Sequence, residues 1–201
     1  MAPDQTTGAG ASAPTPSAEQ IWDPVVRIFH WALVIAFVVT FGLGKFGPDQ
    51  MTLHFYGGYT IAALVVLRVI WGFVGPRNAR FTNFVKGPGA VLAYARTLPK
   101  RAPSHSRGHN PVGALFVVGI LIVLGLQVMT GLLADPEDYI NVGPLAKYVS
   151  IETARKALAL HEPLGMIALI GVVAHIAAIG FYKRWKGENL VTPMITGRRS
   201  D

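Results

Sequence analysis

Residues 160–182 read LHEPLGMIALIGVVAHIAAIGFY, an apolar run with His161 near its start and His175 near its end. At a rise of about 1.5 Å per residue, a helix of this length crosses a hydrocarbon core about 30 Å thick. The two histidines are fourteen residues apart, which leaves them only about 40° apart around the helix axis and about 21 Å apart along it. One helix face therefore carries an imidazole near each side of a bilayer, where ionisable groups are costly and usually functional.

The composition favours an integral membrane protein. The chain has 201 residues, of which 51% are hydrophobic and 14% charged, with a mean hydropathy of +0.41. Soluble domains carry about 25% charged residues. Cysteine is absent, which excludes disulfides, iron–sulfur clusters, thiolate zinc sites and covalently attached c-type haem. The net charge of +7 lies in segments that flank the apolar runs, so it indicates membrane topology and no nucleic-acid partner.

Three more apolar runs precede this one, and together the four predict an all-α, integral membrane four-helix bundle. The expected spans are residues 25–44, 52–74, 111–133 and 160–182. Asp23-Pro24 and Asn110-Pro111 are typical helix starts, with an N-cap side chain followed by proline at the first helical position. The fourth helix has a possible earlier start in the amphipathic stretch IETARKALAL at residues 151–160.

The basic residues predict the orientation and the domain boundaries. The 76–111 loop holds seven Lys and Arg residues and no acid, and the C-terminal segment holds five more cations from Lys183 onward. Both segments should be cytoplasmic, which places the N- and C-termini inside. We expect a disordered N-terminal tail at 1–20, a four-helix domain at 21–186 and a basic cytoplasmic C-terminal tail at 187–201. The N-terminal tail has no Lys or Arg before the first span, so that span is expected to be an uncleaved anchor and not a signal peptide.

Helix depth predicts how the histidines pair. His30 lies about 10 Å inside the first span and His175 about 12 Å from the same side, while His54 and His161 both begin helices at the other side. The predicted pairs are therefore His30 with His175 and His54 with His161. Two neutral imidazoles from different helices can hold a haem iron from both faces. Two such pairs predict two non-covalently bound haems per chain, and the alternative for any one of these histidines is a hydrogen-bonded packing role.

Other residues carry more than one interpretation. Arg68, near the inner end of the second span, could bind a haem propionate or snorkel to the headgroups, and Arg27, one turn before His30, is a weaker candidate of the same kind. The small residues Gly165, Ala168 and Gly171 would leave room for a macrocycle or for close helix packing. His105 and His109 lie in the basic loop and are expected to be solvated, with a haem-edge or quinone role as the alternative for His109.

Six motifs follow one another in a distinctive order and spacing across residues 21–199: WDPVVRIFHW, LHFYGGY, LRVIWGFVGPRNARF, GHNPVGAL, LHEPLGMIALIGVVAHIAAIGFY and ENLVTPMITGR. With these motifs the chain resembles the bacterial cytochrome b561 family, which groups with the b-type cytochrome subunits of nickel–iron hydrogenases. The resemblance implies a four-helix membrane bundle with two b haems, whose axial ligands would be the metal-binding residues His30, His54, His161 and His175. Asn78 departs from the family pattern, in which an aromatic residue or histidine is common there, and we expect it to affect the loop and not haem binding.

The resemblance implies electron transfer in the bacterial inner membrane. The expected partners are membrane lipid, the quinone pool and a periplasmic redox protein such as a cytochrome c or a hydrogenase, with superoxide as another redox partner and a homodimer as a further possibility. One alternative is a haem-bearing anchor subunit of a hydrogenase or dehydrogenase. Another is a small transporter or metal-binding protein that uses the histidines for zinc or copper. Tetrahedral zinc needs four converging ligands, which the separation of His161 from His175 forbids within one site.

Overall fold

The computed structural model describes residues 19–47, 51–104, 106 and 108–199. The predicted disordered tail up to residue 18, and His105, lie outside the described residues. In chain order the helices are α1 Pro24–Phe46, α2 Met51–Val74, α3 Phe81–Phe84, α4 Pro88–Ala95, α5 Pro111–Leu133, α6 Ile151–Phe181 and α7 Val191–Thr196. Helix α6 continues through a π-helical turn to Lys186, and α1, α2, α5 and α6 are each long and apolar enough to cross a membrane. The prediction of an all-α, four-helix membrane protein is confirmed.

The helix starts follow from local sequence. Asp23 Oδ1 accepts hydrogen bonds from the backbone N–H groups of Val25 and Val26 at 3.0 and 3.2 Å, and Asn110 Oδ1 accepts one from Gly113 at 2.8 Å. Both predicted N-caps are therefore confirmed. Helix α6 begins at residue 151, where the Ser150 side chain caps it, so the amphipathic stretch is the first part of the fourth helix. The short helices α3 and α4 in the basic loop have no counterpart in the sequence prediction.

The four long helices run alternately up and down. Helix α1 packs on α2, α2 packs on α5, and α5 packs on α6. We call the end where α1 begins and α6 ends the proximal end, and the end where α2 and α6 begin the distal end. At mid-height lies a cluster of buried apolar side chains formed by Phe37, Ile61, Leu124 and Ala168. Most outward-facing side chains of the four spans are apolar and exposed, as a lipid environment requires.

The proximal end is tied together by the two ends of the described chain. The N–H groups of Ile21 and Trp22 donate to the carbonyl of Gly197 at 2.8 and 3.2 Å, and the N–H of Arg199 donates to the carbonyl of Glu19 at 3.1 Å. The Asn78 amide donates to the Ile21 carbonyl at 2.9 Å. The segment after α6 therefore folds back against the start of α1, and the α2–α3 connection is anchored to the same place.

Asp23 links two helices, which leads to a stability prediction. Besides capping α1, its Oδ1 accepts a hydrogen bond from the Trp71 indole near the end of α2, at 3.1 Å. Asp23→Ala should therefore lower the free energy of unfolding by about 2 kcal/mol, from the lost cap and the unpaired indole. Chemical unfolding in detergent followed by circular dichroism measures the change. Asp23→Asn keeps the capping oxygen and should remain near wild type, whereas equal destabilisation by both variants would contradict this role for the cap.

Candidate functional site

Four histidine rings meet in two pairs, one at each end of the bundle. The ring centres of His30 and His175 are 6.3 Å apart with an interplanar angle of 54°, and those of His54 and His161 are 6.1 Å apart at 80°. Each pair joins α6 to a different helix, α1 for the proximal pair and α2 for the distal pair. The structure thus brings together the same partners that helix depth pairs in the sequence.

The spacing within each pair fits one metal ion bound between two imidazoles. Two metal–nitrogen bonds of about 2.0 Å, with about 1.1 Å from each nitrogen to its ring centre, place the ring centres roughly 6.2 Å apart. Across the described ranges, no group of three or more His, Cys, Asp or Glu side chains is arranged to hold a metal ion. Two nitrogen donors per site match the two axial positions of haem iron, whereas a structural zinc site takes four protein ligands.

At the distal pair, hydrogen bonds determine which nitrogen of each ring carries the proton. His54 Nδ1 lies 2.9 Å from the carbonyl oxygen of Thr40, and because a carbonyl only accepts, Nδ1 must donate. His161 Nδ1 lies 3.1 Å from Thr130 Oγ1, whose own hydroxyl is within reach of the Leu126 carbonyl at 2.9 Å. With Thr130 donating to that carbonyl and accepting from His161, both rings keep Nε2 unprotonated, which is the form that binds a metal.

His161 Nε2 has a polar neighbour on α5. The Gln127 amide nitrogen lies 3.2 Å away and can donate to it, while Gln127 Oε1 is buried without a hydrogen-bond partner among the described residues. Sequence reasoning missed Thr40, Gln127 and Thr130. The signal that could have found them is a polar side chain inside an otherwise apolar span, since such a group needs a hydrogen-bond partner there.

A cavity surrounds the distal pair. Its volume is about 550 Å³, within the roughly 300–1,000 Å³ typical of ligand pockets. Its lining is largely apolar and includes Gly58, Gly131 and Gly165 beside the two imidazoles. An added Cβ on Gly44 or Gly131 would lie 2.7 or 2.8 Å from an imidazole carbon. The backbone therefore approaches both rings closely.

The small residues of α6 are used partly for helix packing. Ala168 is fully buried at 0% exposure and belongs to the mid-height apolar cluster. A Cβ on Gly171 would lie 3.2 Å from the Ile120 side chain of α5. Gly165 both lines the distal cavity and faces the Gln127 side chain. The packing interpretation of the small-residue stripe is therefore confirmed at Ala168 and Gly171. At Gly165, room for a macrocycle stays a prediction.

The proximal pair is surrounded mainly by aromatic side chains. The His175 ring stacks on Phe116 of α5 with ring centres 5.2 Å apart and planes within 10°. His30 meets Trp31 edge-on at 5.1 Å, and its Nδ1 is buried without a hydrogen-bond partner among the described residues. Aromatic rings position the proximal imidazoles, whereas hydrogen bonds position the distal ones.

The two candidate arginines have different environments. Arg68 is 3% exposed, donates from Nη2 to the Ala79 carbonyl at 3.2 Å and lies 4.9 Å above the Phe81 ring. The interpretation that Arg68 snorkels to the headgroups is therefore wrong, because the α2–α3 connection covers it. Its Nη1 remains buried and unpaired within the described part of the chain. Arg27 instead donates to the carbonyl of Ile195 in α7.

His109 corrects another expectation. The sequence places it in a polar loop and predicts that it is solvated, but its ring packs between Trp22 at 4.6 Å and Phe84 at 4.7 Å. Burial, and to a lesser degree the nearby positive charge of Arg68, lower the pKa of His109 to about 3. Its position directly before the Asn110 cap is the signal that could have shown this, since the cap ties that part of the loop to the bundle.

Comparison with known proteins agrees with this architecture. The sequence matches the family described as prokaryotic cytochrome b561 over residues 21–197. The probable Ni/Fe-hydrogenase 1 B-type cytochrome subunit of Escherichia coli strain K12 is 24% identical over 213 residues, covering 90% of this chain and 90% of the relative. A probable Ni/Fe-hydrogenase B-type cytochrome subunit of Azotobacter vinelandii is 28% identical over 138 residues, covering 53% of this chain and 57% of the relative. No solved structure matches the chain.

The fold, the paired imidazoles and these relatives define a multi-pass membrane b-type cytochrome that takes part in electron transfer. Its cofactor is haem b, which suits a chain with no cysteine for covalent attachment. The match extends over most of the sequence, including all four membrane-spanning helices. The chain belongs to the prokaryotic cytochrome b561 family.

Proposed function

We propose that this protein holds two b haems and transfers electrons between the quinone pool and a second redox partner. His30 and His175 would be the axial ligands of the proximal haem, and His54 and His161 those of the distal haem. The observation that carries the proposal is the presence of two imidazole pairs with ring centres 6.3 and 6.1 Å apart. Haem supplies reversible one-electron chemistry, and the use of both axial positions favours electron transfer over oxygen binding.

The chain's own residues set the environment of each site. Thr40 and Thr130 hold the distal imidazoles in the metal-binding tautomer, and such second-shell partners orient metal ligands. At the proximal site, Arg68 Nη1 is a buried donor without a partner in the described structure, which supports a role in binding a haem propionate. Arg27 is a weaker candidate for the same role because α7 already engages it.

Haem quantitation tests the proposal. A pyridine haemochrome assay on the purified protein should give about two b haems per chain, because the four histidines form two ligand pairs. The reduced-minus-oxidised spectrum should show low-spin iron. A value near one haem per chain would mean that one pair does not bind haem. Retention of zinc or copper in a folded, haem-free protein would instead favour the transporter or metal-binding alternative.

We place the protein in the bacterial inner membrane with its proximal end facing the cytoplasm. The strongly basic loop between α2 and α5 lies at that end, as the positive-inside rule requires. The distal haem would then lie near the periplasm, within reach of a cytochrome c, superoxide or a hydrogenase. A reporter enzyme that works only in the cytoplasm should be active when fused to the C-terminus, and one that works only in the periplasm should be inactive there. Activity of the periplasmic reporter alone would mean that the proximal end faces the periplasm.

A second candidate function is a haem-bearing anchor subunit of a hydrogenase. It is favoured by the Escherichia coli relative, whose name assigns it to Ni/Fe-hydrogenase 1 and which aligns over 90% of both chains. If the protein is such an anchor, molecular hydrogen should reduce its haems in native membranes. If it is a carrier for the quinone pool, a quinol should reduce them without hydrogen. Deleting the hydrogenase genes distinguishes the two, because the carrier would keep its quinol-dependent reduction.

The Thr130 hydroxyl provides a direct test of the distal site. Thr130→Val keeps the side-chain shape and removes the acceptor that orients His161, so haem retention at the distal site should weaken by about 10- to 100-fold. Haem transfer to apomyoglobin measures this loss. Thr60→Val is the matched control, because Thr60 also hydrogen-bonds a carbonyl one turn earlier but lies on the exposed side of α2. Equal effects of the two changes would argue against second-shell control.

A further inference from the structure

A second cavity lies at the proximal end, between the start of α5 and the connection that follows α2. Its volume is about 480 Å³. In contrast to the apolar distal cavity, its lining is rich in polar side chains, including Arg77, Asn83, Lys86 and His109. None of these residues belongs to the imidazole pairs, and the proposed electron-transfer function leaves this cavity without a role.

The cavity favours a negatively charged ligand. Arg77 and Lys86 form no ion pair with any described residue, although both side chains line it. Glu19 is the acid in the lining, so the two cations outnumber it. Pro111, the first residue of the 23-residue helix α5, also lines the cavity, and the N-terminal end of a long helix carries a partial positive charge.

A hydrogen-bond donor without a partner adds to this charge. His109 Nδ1 is buried and has no hydrogen-bond partner in the described part of the chain, and the neutral ring can donate from it. The Asn83 amide is a further donor in the lining, and one of its two N–H groups reaches the Arg77 carbonyl at 2.8 Å. Two cations and neutral N–H donors around one polar cavity are the groups that recognise phosphate oxygens.

The cavity lies next to the segment that covers Arg68. Phe84 lines it, packs on His109 with ring centres 4.7 Å apart and lies 5.9 Å from the Arg68 guanidinium. A ligand held there would therefore restrain the segment that covers Arg68. The connection between α2 and α5 leaves and re-enters the bundle at the membrane surface, so phospholipid headgroups lie within reach of it.

We propose that this cavity binds a phosphate group, which in the membrane is the headgroup phosphate of an anionic phospholipid. Basic pockets at the surface of membrane proteins bind such headgroups, and each Lys or Arg near the surface contributes about 1 kcal/mol, which is about fivefold in affinity. The bound headgroup would fasten the α2–α5 connection over the proximal end.

Native mass spectrometry of the haem-loaded protein in detergent tests this inference. The probes are phosphatidylglycerol, phosphatidylcholine and inorganic phosphate. Phosphatidylglycerol should bind at one molecule per chain, and Arg77→Gln and Lys86→Gln should each weaken it about fivefold. Arg96→Gln is the matched control, because Arg96 is an exposed cation in the same connection but does not line the cavity. The haem spectrum should stay unchanged throughout, which separates this result from the haem proposal.

The outcomes decide both the site and the source of the phosphate. Binding of inorganic phosphate with the same dependence on Arg77 and Lys86, and no preference for phosphatidylglycerol, would support a phosphate site filled from solution. Equal binding of phosphatidylcholine and phosphatidylglycerol, unaffected by either substitution, would overturn the proposal. An equal loss in Arg96→Gln would also overturn it, because the attraction would then come from the general charge of the loop.

Discussion

Replacement of His175 by alanine is expected to lower the haem content from two per chain to one. The imidazole of His175 lies 6.3 Å from that of His30, and without it the proximal iron would lose one of its two protein ligands. The distal pair lies about 21 Å away along α6, so its ligands and their hydrogen bonds should remain intact. Haem quantitation and the amplitude of the reduced-minus-oxidised spectrum should both fall by about half, as expected for one lost bis-histidine site.

Ile176→Ala is the control for this substitution. Ile176 is the next residue on α6 and is 62% exposed toward the lipid side, so its truncation should leave both haems in place. A His175→Ala protein that retains two haems with unchanged spectra would contradict the pairing. Loss of both haems from a folded His175→Ala protein would mean that the two sites depend on each other. We do not expect this, because the hydrogen bonds that hold His54 and His161 do not involve His175.

Addition of a single methyl group at Gly131 is expected to remove the distal haem. The new Cβ would lie 2.8 Å from His161 Cε1, a distance that ordinary carbon–carbon contacts of about 3.5–4.0 Å do not allow. The ring must move, and it then loses the hydrogen bond to Thr130 and its position opposite His54. Gly44→Ala should act in the same way from the other side, since its Cβ would lie 2.7 Å from His54 Cε1. Haem content should approach one per chain in either variant.

Gly125 and Gly42 provide matched controls on the same two helices. A Cβ at either position meets nothing within 4 Å, and alanine in a helix interior is more favourable than glycine by about 1 kcal/mol. These controls should therefore keep both haems with unchanged or slightly higher thermal stability. Full haem content in Gly131→Ala would show that the distal site has more room than the structure indicates. If Gly131→Ala or Gly44→Ala stays folded and keeps the spectrum of the proximal haem, general unfolding is excluded as the cause of the haem loss.

Much of the architecture follows from local sequence. The lengths of the four apolar runs match or exceed the thickness of a bilayer core. The side chains of Asp23 and Asn110, each followed by proline, define helix starts by accepting hydrogen bonds from backbone N–H groups two or three residues ahead. The same regularity explains why His161 and His175 share a face of α6, because helical rise and rotation are constant. Pairing by depth needed only the further assumption that every span crosses the bilayer, which makes successive helices alternate in direction whatever the length of the connection.

The surroundings of these histidines depend on contacts between distant segments. Arg68 is buried because Ala79 and Phe81 fold back over α2, and the His109 ring is half-buried because Trp22 and Phe84 pack against it. The apolar neighbours of Arg68 in α2 give no sign of the segment that covers it. Next to His109, only the Asn110 cap indicates that this part of the loop is tied to the bundle, and it does not identify the aromatic rings that pack there.

The number of spans, their order and the heights of the imidazoles are properties of single helices, and hydrophobic length and helical period specify them without reference to any partner. The tautomer of each distal ring, the closeness of Gly44 and Gly131 to the imidazoles and the polar cavity beside Arg77 exist only after packing. They depend on which side chains from separate helices and loops come within a few ångströms of one another, and that is set by the complementary shapes of the packed surfaces.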